Sequence, residues 1–216
     1  MNRIALKFSR KSMSKYLSHL DMQRTFSRAL RRSGINVKTS SGFNPHIVLS
    51  FASALSVGME SEGEYVEFTV LNDINTEFIK TKLNEVLPSD ISIIDAYIIP
   101  DNVKKLMSIV HAAKIKYESN DSEFLNAVAE FLKKKECLVE KRSKKGIKVV
   151  DIMPYIYSVE ISDDVSFIIA HSNDASLNPF MLLDQIKLCS HKIFDVSVSR
   201  LELFDPNFRP LNSLFV

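Results

Sequence analysis

Residues 3–40 read RIALKFSRKSMSKYLSHLDMQRTFSRALRRSGINVKTS, and their periodicities set the order of the first elements. Polar and apolar residues alternate through RIALKF, the pattern of a strand with one buried face. SRKSMSKYL is polar and reads as a loop. Ser18, followed three residues later by Asp21, is a capping-box-like start, and Gly34 suits the position just past a helix. A helix is therefore predicted over about residues 19–33. Met22, Phe26, Ala29 and Leu30 recur at helical spacing and make one inward stripe, which leaves Arg24, Arg28 and Arg31 on the opposite side. INVKTS reads as a short second strand.

Working outward, SGFNPHIVLSFASALSVGMESEGE (residues 41–64) is a long connection punctuated by Gly42, Asn44-Pro45 and Gly58. YVEFTVL alternates as a strand. Thr76 to Leu87 carries Ile79, Leu83 and Val86 on one side and meets Pro88 at its end, so it reads as a second helix, and ISIIDAYIIP as a buried strand. The order is β-α-β-β-α-β. After a join near Asp101 to Leu106 the order recurs: HAAKIKYE as a strand, and a helix from Ser122 to Lys134 with Phe124, Val128, Phe131 and Leu132 inward. CLVEKR and IKVVDIMPYIYSVEI then read as a hairpin turning at Lys145-Gly146, with VSFIIAH a further strand. A helix opened by Asn178-Pro179 runs to about Leu188, and DVSVSRLELF closes the unit. The predicted fold is α+β, two tandem ferredoxin-like domains at residues 1–102 and 103–216.

With 216 residues, 45% hydrophobic and 25% charged, the chain has the composition of a globular protein. Its apolar runs are far shorter than the roughly 20 residues a membrane helix needs, and the N-terminus lacks an apolar signal region. A cytoplasmic location without membrane contact is expected. Cys137 and Cys189 are the only cysteines and no Cys/His spacing fits zinc or an iron–sulfur cluster, so no metal and no cofactor is expected in this chain.

The net charge of +2 hides a strong segregation. Met1 to Met59 holds ten Lys or Arg against Asp21 alone, and Lys133 to Lys148 holds eight against Glu136 and Glu140. Surfaces of that kind attract polyanions, most often nucleic acid. The expected nucleic-acid-binding residues are Arg24, Arg28, Arg31, Lys38, Asn44 and His46 in the first half, with Lys141, Arg142, Lys144 and Lys145 on the second hairpin. Glu60, Glu62 and Glu64 are the counter-indication, because pairing with the arginines would cancel the field.

Several motifs go beyond pattern: YLSHLD (16–21), ALRR (29–32), GFNPH (42–46), SFASALSVG (50–58), ESEGEY (60–65) and VDIMPYI (150–156). In these the chain resembles the radical-SAM-linked family, a domain of unknown function found alone or joined to cobalamin-binding radical SAM proteins. At Met153 the family often has arginine. The resemblance implies a radical SAM partner, one that binds cobalamin in some members, and a setting in RNA or translation-related metabolism. The layout of the halves is also similar to tandem ferredoxin-like CRISPR repeat-processing endoribonucleases, a likeness of fold that does not transfer function.

The first expectation is an accessory, non-catalytic module that engages RNA or a radical SAM protein through the arginine helix and the SGFNPH loop, the two facing one exposed hollow. The alternative is a metal-independent endoribonuclease with His46 or His19 as base, since imidazole titrates near neutrality and suits activation of a 2′-hydroxyl.

Overall fold

A computed structural model describes residues 1–143, 146–190 and 192–215; Lys144 and Lys145, and with them the predicted hairpin tip, lie outside the described residues. In chain order the elements are β1 (Asn2–Arg10), α1 (His19–Arg32), β2 (Ser50–Phe51), β3 (Glu60–Val70), α2 (Thr76–Val86), β4 (Ile91–Ile99) and α3 (Leu106–Ile109). They continue with β5 (Ala112–Glu118), α4 (Glu123–Leu132), β6 (Leu138–Ser143), β7 (Gly146–Asp151), β8 (Ile156–Ile161), β9 (Val165–Ala170), α5 (Pro179–Lys187) and β10 (Ser197–Phe204). The class is α+β. The chain divides into two units, residues 1–111 with 200–216, and residues 112–199. This differs from a division at 102/103, because the last segment joins the first unit.

In the first unit β1 is central, antiparallel to β3 on one side and to β4 on the other. β2 and β10 both lie on the far side of β3. Ile4, Leu6 and Phe8 of β1 and Val66, Phe68 and Val70 of β3 form one apolar face, onto which α1 sets Met22, Phe26, Ala29 and Leu30, the predicted stripe. Rings of Phe8, Phe26 and Phe51 interlock at centroid distances of 4.8 to 6.1 Å, a geometry that adds about 0.5–1.5 kcal/mol per pair beyond simple burial. α2 adds Ile79 and Leu83. The opposite face is covered as well: Tyr65 is buried with its hydroxyl donating to Glu202 at 2.7 Å, and Tyr97 packs on Phe215 at 5.4 Å.

INVKTS does not form the predicted strand. Val37 makes a single bridge to Val70, and continuous pairing resumes only at Ser50 opposite Glu67 and Phe51 opposite Val66. Far more chain passes on this edge than on β3, and the surplus leaves the sheet as a loop.

In the second unit β9 lies between β5 and β8, antiparallel to both. The predicted long hairpin is divided. β6 and β7 form a separate two-stranded sheet, after which Met153–Tyr155 makes a turn of 3₁₀ helix around Pro154 and β8 leaves to join β9. Proline lacks the N–H that a continuous ladder needs. Asn178 caps α5 by accepting from Phe180 N and Met181 N, with Pro179 at the first helical position as predicted.

Candidate nucleic-acid interface

Helix α1 begins at a built cap. Ser18 Oγ accepts from Asp21 N at 3.2 Å and donates to the Asp21 carboxylate at 2.6 Å, an arrangement that satisfies one of the open N–H groups of the first turn. That hydrogen bond from Ser18 is the main reason the Asp21 carboxyl titrates below its ordinary range, with Arg24 helping. With the apolar stripe buried, Arg24, Arg28, Arg31 and Arg32 are exposed. Arg24 reaches Asp21 at 3.4 Å and Arg32 donates to the Val86 carbonyl at 2.8 Å. Arg28 and Arg31 have no carboxylate partner among the described residues.

The glutamates that could have cancelled this field are engaged elsewhere. Glu60 faces Lys15 at 3.6 Å, Glu62 faces Lys11 at 2.8 Å, and Glu64 is buried against Arg200 at 3.0 Å. Glu62 is exposed and Glu64 buried although they stand two apart on β3, because the register slips between them, where Glu64 lies opposite Phe8 and Ser61 opposite Arg10.

The surplus chain between Val37 and Ser50 is a stapled loop. Ser40 N donates to the His46 carbonyl at 2.8 Å, His46 N donates to Ser40 Oγ at 3.1 Å, and Ser40 Oγ lies 2.8 Å from His46 Nδ1. A bridge between Thr39 and Ile47 closes the neck. Gly42 sits at φ +116°, a region L side chains rarely adopt, so the turn requires glycine there. Ile47 and Phe51 anchor the loop in the core alongside α1. Lys38 and Asn44 are exposed and have no side-chain partner among the described residues, while Phe43 is fully exposed at the tip.

The structure therefore puts the arginines and the loop on one unit and joins them through apolar packing. Among the described residues no hydrogen bond or ion pair links Arg24, Arg28 or Arg31 to Asn44 or His46. The two candidate histidines have different partners. His19 sets its ring edgewise to Phe51 at 5.3 Å and its Nε2 lies 3.2 Å from Gln23 Nε2. His46 sets Nδ1 2.8 Å from Ser40 Oγ, a contact in which either atom donates according to the ring's tautomer.

Below this surface lies a cluster that sequence reasoning missed. Arg10, at the end of β1, is buried and gathers three carbonyls: Ser14 at 2.8 Å, Lys15 at 3.3 Å, and Leu17. These belong to the segment that leads into the Ser18 cap, so Arg10 fixes where α1 starts. Glu64 accepts from Arg200 Nη1 at 3.0 Å and from Ser61 Oγ at 2.8 Å, and Arg200 Nη2 donates to the Ala54 carbonyl. Burial lowers the pKa of the Arg10 guanidinium, Glu64 raises it, and Arg200 lowers it further. A signal was present. Arg10 continues the buried row Ile4, Leu6, Phe8, and Glu64 precedes the row Val66, Phe68, Val70, so a charge stands in an apolar register at both places.

In the second unit Lys141 Nζ donates to the Ser176 carbonyl at 2.7 Å and lies 5.1 Å from the centre of the Tyr155 ring. Burial lowers its pKa. Its ammonium is thus occupied within its own unit. Arg142 lies in β6, and Lys144 and Lys145 are outside the described residues. No group of His, Cys, Asp and Glu suited to a metal ion occurs among the described residues. Cys137 and Cys189 are free thiols. Among the described residues no helix is long and apolar enough to cross a membrane.

Comparison with curated proteins gives no match. The chain is similar to a solved structure described as "Crystal Structure of an Unknown Protein from Galdieria sulphuraria", at 12% identity over 92% of this chain and 98% of that one, with a TM-score of 0.28. The family model described as "Uncharacterized protein conserved in bacteria (DUF2344)" matches residues 3–179, and the chain belongs to that family.

Proposed function

We propose that the first unit is a non-catalytic RNA-binding module, acting through the outer face of α1 and the stapled loop between Val37 and Ser50. One observation carries this reading: among the described residues Arg28 and Arg31 are exposed and without carboxylate partners, while Glu60, Glu62 and Glu64 are committed to Lys15, Lys11 and Arg200. Planar guanidinium groups free of carboxylates suit phosphate oxygens. The order β4-β1-β3 with β2 on β3 supports a ferredoxin-like reading of this unit. Its sheet is covered on both faces, so contact with RNA falls to helix and loop. The binding reading is preferred over the endoribonuclease because the partners of His19 (Gln23 and Phe51) and of His46 (Ser40) include no carboxylate to orient a base.

The radical SAM partner implied by the resemblance has its own support. Met13, Tyr16, Leu20 and Val57 are exposed apolar side chains around the start of α1, where Gly58 N donates to the Lys15 carbonyl. A protein partner would cover such residues.

Ultraviolet crosslinking of the purified chain to total bacterial RNA, with the modified peptides mapped by mass spectrometry, tests the proposal. Crosslinks are expected in the peptides spanning residues 19–48. Crosslinks confined to β6 and β7, or none, would contradict it.

A further inference from the structure

Phe43 is more exposed than any other large hydrophobic side chain among the described residues. An aromatic ring at a loop tip gains nothing from folding, and turn chemistry alone asks for no aromatic beside Gly42 and Asn44. Its support is rigid. Ser40 and His46 close the loop through backbone and side chain, the bridge between Thr39 and Ile47 holds the neck, and Pro45 restricts the return strand. The ring is therefore presented at little entropic cost on binding.

Charge decides between the surfaces such a ring could meet. Lys38 stands at the foot of the loop, and Arg28 and Arg31 on α1 of the same unit, all three exposed and without a carboxylate partner among the described residues, whereas Arg3, Lys7, Lys11, Lys15 and Arg24 are paired. A flat apolar face and unpaired cations on one unit match the two components of unpaired RNA, a base with a π-face and a phosphate backbone.

We propose that Phe43 is a stacking platform for an unpaired base, so that the RNA bound by the first unit is single-stranded where it meets the loop. This deepens the RNA-binding reading and rests on it. Stacking on an aromatic is sequence-tolerant, since every base has a π-face, so simple homopolymers serve as probes. The chain contains no tryptophan, and Phe43→Trp therefore places a single indole reporter at the tip.

The test titrates full-length wild type, Phe43→Ala, Phe43→Trp and the double variant Arg28→Ala with Arg31→Ala with oligo(U), oligo(A) and a fully paired hairpin, by fluorescence anisotropy at low salt. Phe43→Ala is expected to weaken oligo(A) and oligo(U) binding about ten-fold while leaving the salt dependence and hairpin binding unchanged. Phe43→Trp should bind as wild type, with its indole emission quenched on saturation. If the double variant loses affinity while Phe43→Ala does not, and the indole emission is unmoved, stacking is overturned and the RNA reading stands. If wild type binds none of the three RNAs, both fall. If the indole responds instead to phosphatidylserine–phosphatidylcholine vesicles and not to RNA, the tip is a lipid contact and the proposal is overturned.

Discussion

Gly63 shows how closely the strands of the first unit approach. A Cβ built there would stand 2.4 Å from the Leu201 carbonyl oxygen and 2.7 Å from Glu202 Cα, both of them backbone atoms that no rotamer change can move. Gly63→Ala should therefore lower stability by about 1–3 kcal/mol or more, as overpacking does, read as a lower urea midpoint at unchanged m value. An unchanged midpoint would contradict the pairing of β3 with β10. Asp205 makes the second case. Its carboxylate accepts from Asn207 N and Arg209 N and pairs with the Arg209 guanidinium. Burial pushes its pKa up, but those hydrogen bonds outweigh burial and hold it below the ordinary carboxylate value. The sign follows: its contribution is full above about pH 4 and is lost as pH falls through the lower folded value. Asp205→Asn should be less stable than wild type at neutral pH, with the gap closing in acid. A gap that stays constant on acidification would contradict this.

At the scale of elements, the helices were the most legible. Amphipathic spacing, Ser18 and Asn178 located α1 and α5 to within a residue or two, because a buried stripe and a cap are local properties. The second strand was not legible. INVKTS has β-type residues, yet only Val37 pairs, because the neck bridge between Thr39 and Ile47 diverts the chain before β3 can template it. Periodicity carries no information on where an edge strand departs. The long second hairpin is divided for a different reason, since Pro154 sits in the 3₁₀ turn where the chain leaves β7 for β8. Of the candidate site, the arginine face was visible in the sequence. The fate of the three glutamates was not, as their partners Lys15, Lys11 and Arg200 follow from strand register and from a residue far along the chain. Arg10 ties these elements together. Arg10→Met keeps the apolar stem but takes the guanidinium from the carbonyls of Ser14, Lys15 and Leu17; the first two keep Leu17 N and Gly58 N as donors, so the loss falls on Leu17, at about 1–3 kcal/mol if its carbonyl is left dry. Faster hydrogen exchange is expected in the first turn of α1, with the amides of β4 unaffected. Equal protection of that turn in variant and wild type would remove Arg10 from its anchoring role.

For the whole molecule, the segment after residue 199 belongs with the first unit, and the sequence order alone could not show this because the element count of the second half was already complete with it. Deleting residues 200–216 removes the β10 backbone beside Gly63 and leaves Glu64 without Arg200. An orphaned buried charge costs about 3–5 kcal/mol, a large share of the roughly 5–15 kcal/mol that holds a domain folded. A chain ending at Ser199 should lose exchange protection throughout β3 or fail to fold. Retained protection in β3 would show that the segment is dispensable.

RNA binding by the first unit depends above all on guanidinium groups of Arg28 and Arg31 meeting phosphate, and the slope of affinity against salt reads that pairing directly. For oligo(U), the plot of log affinity against log salt for wild type should be steeper than for the variant Arg28→Ala with Arg31→Ala by about 1–2, near 0.7 for each phosphate no longer neutralised. Parallel lines for the two proteins would contradict it.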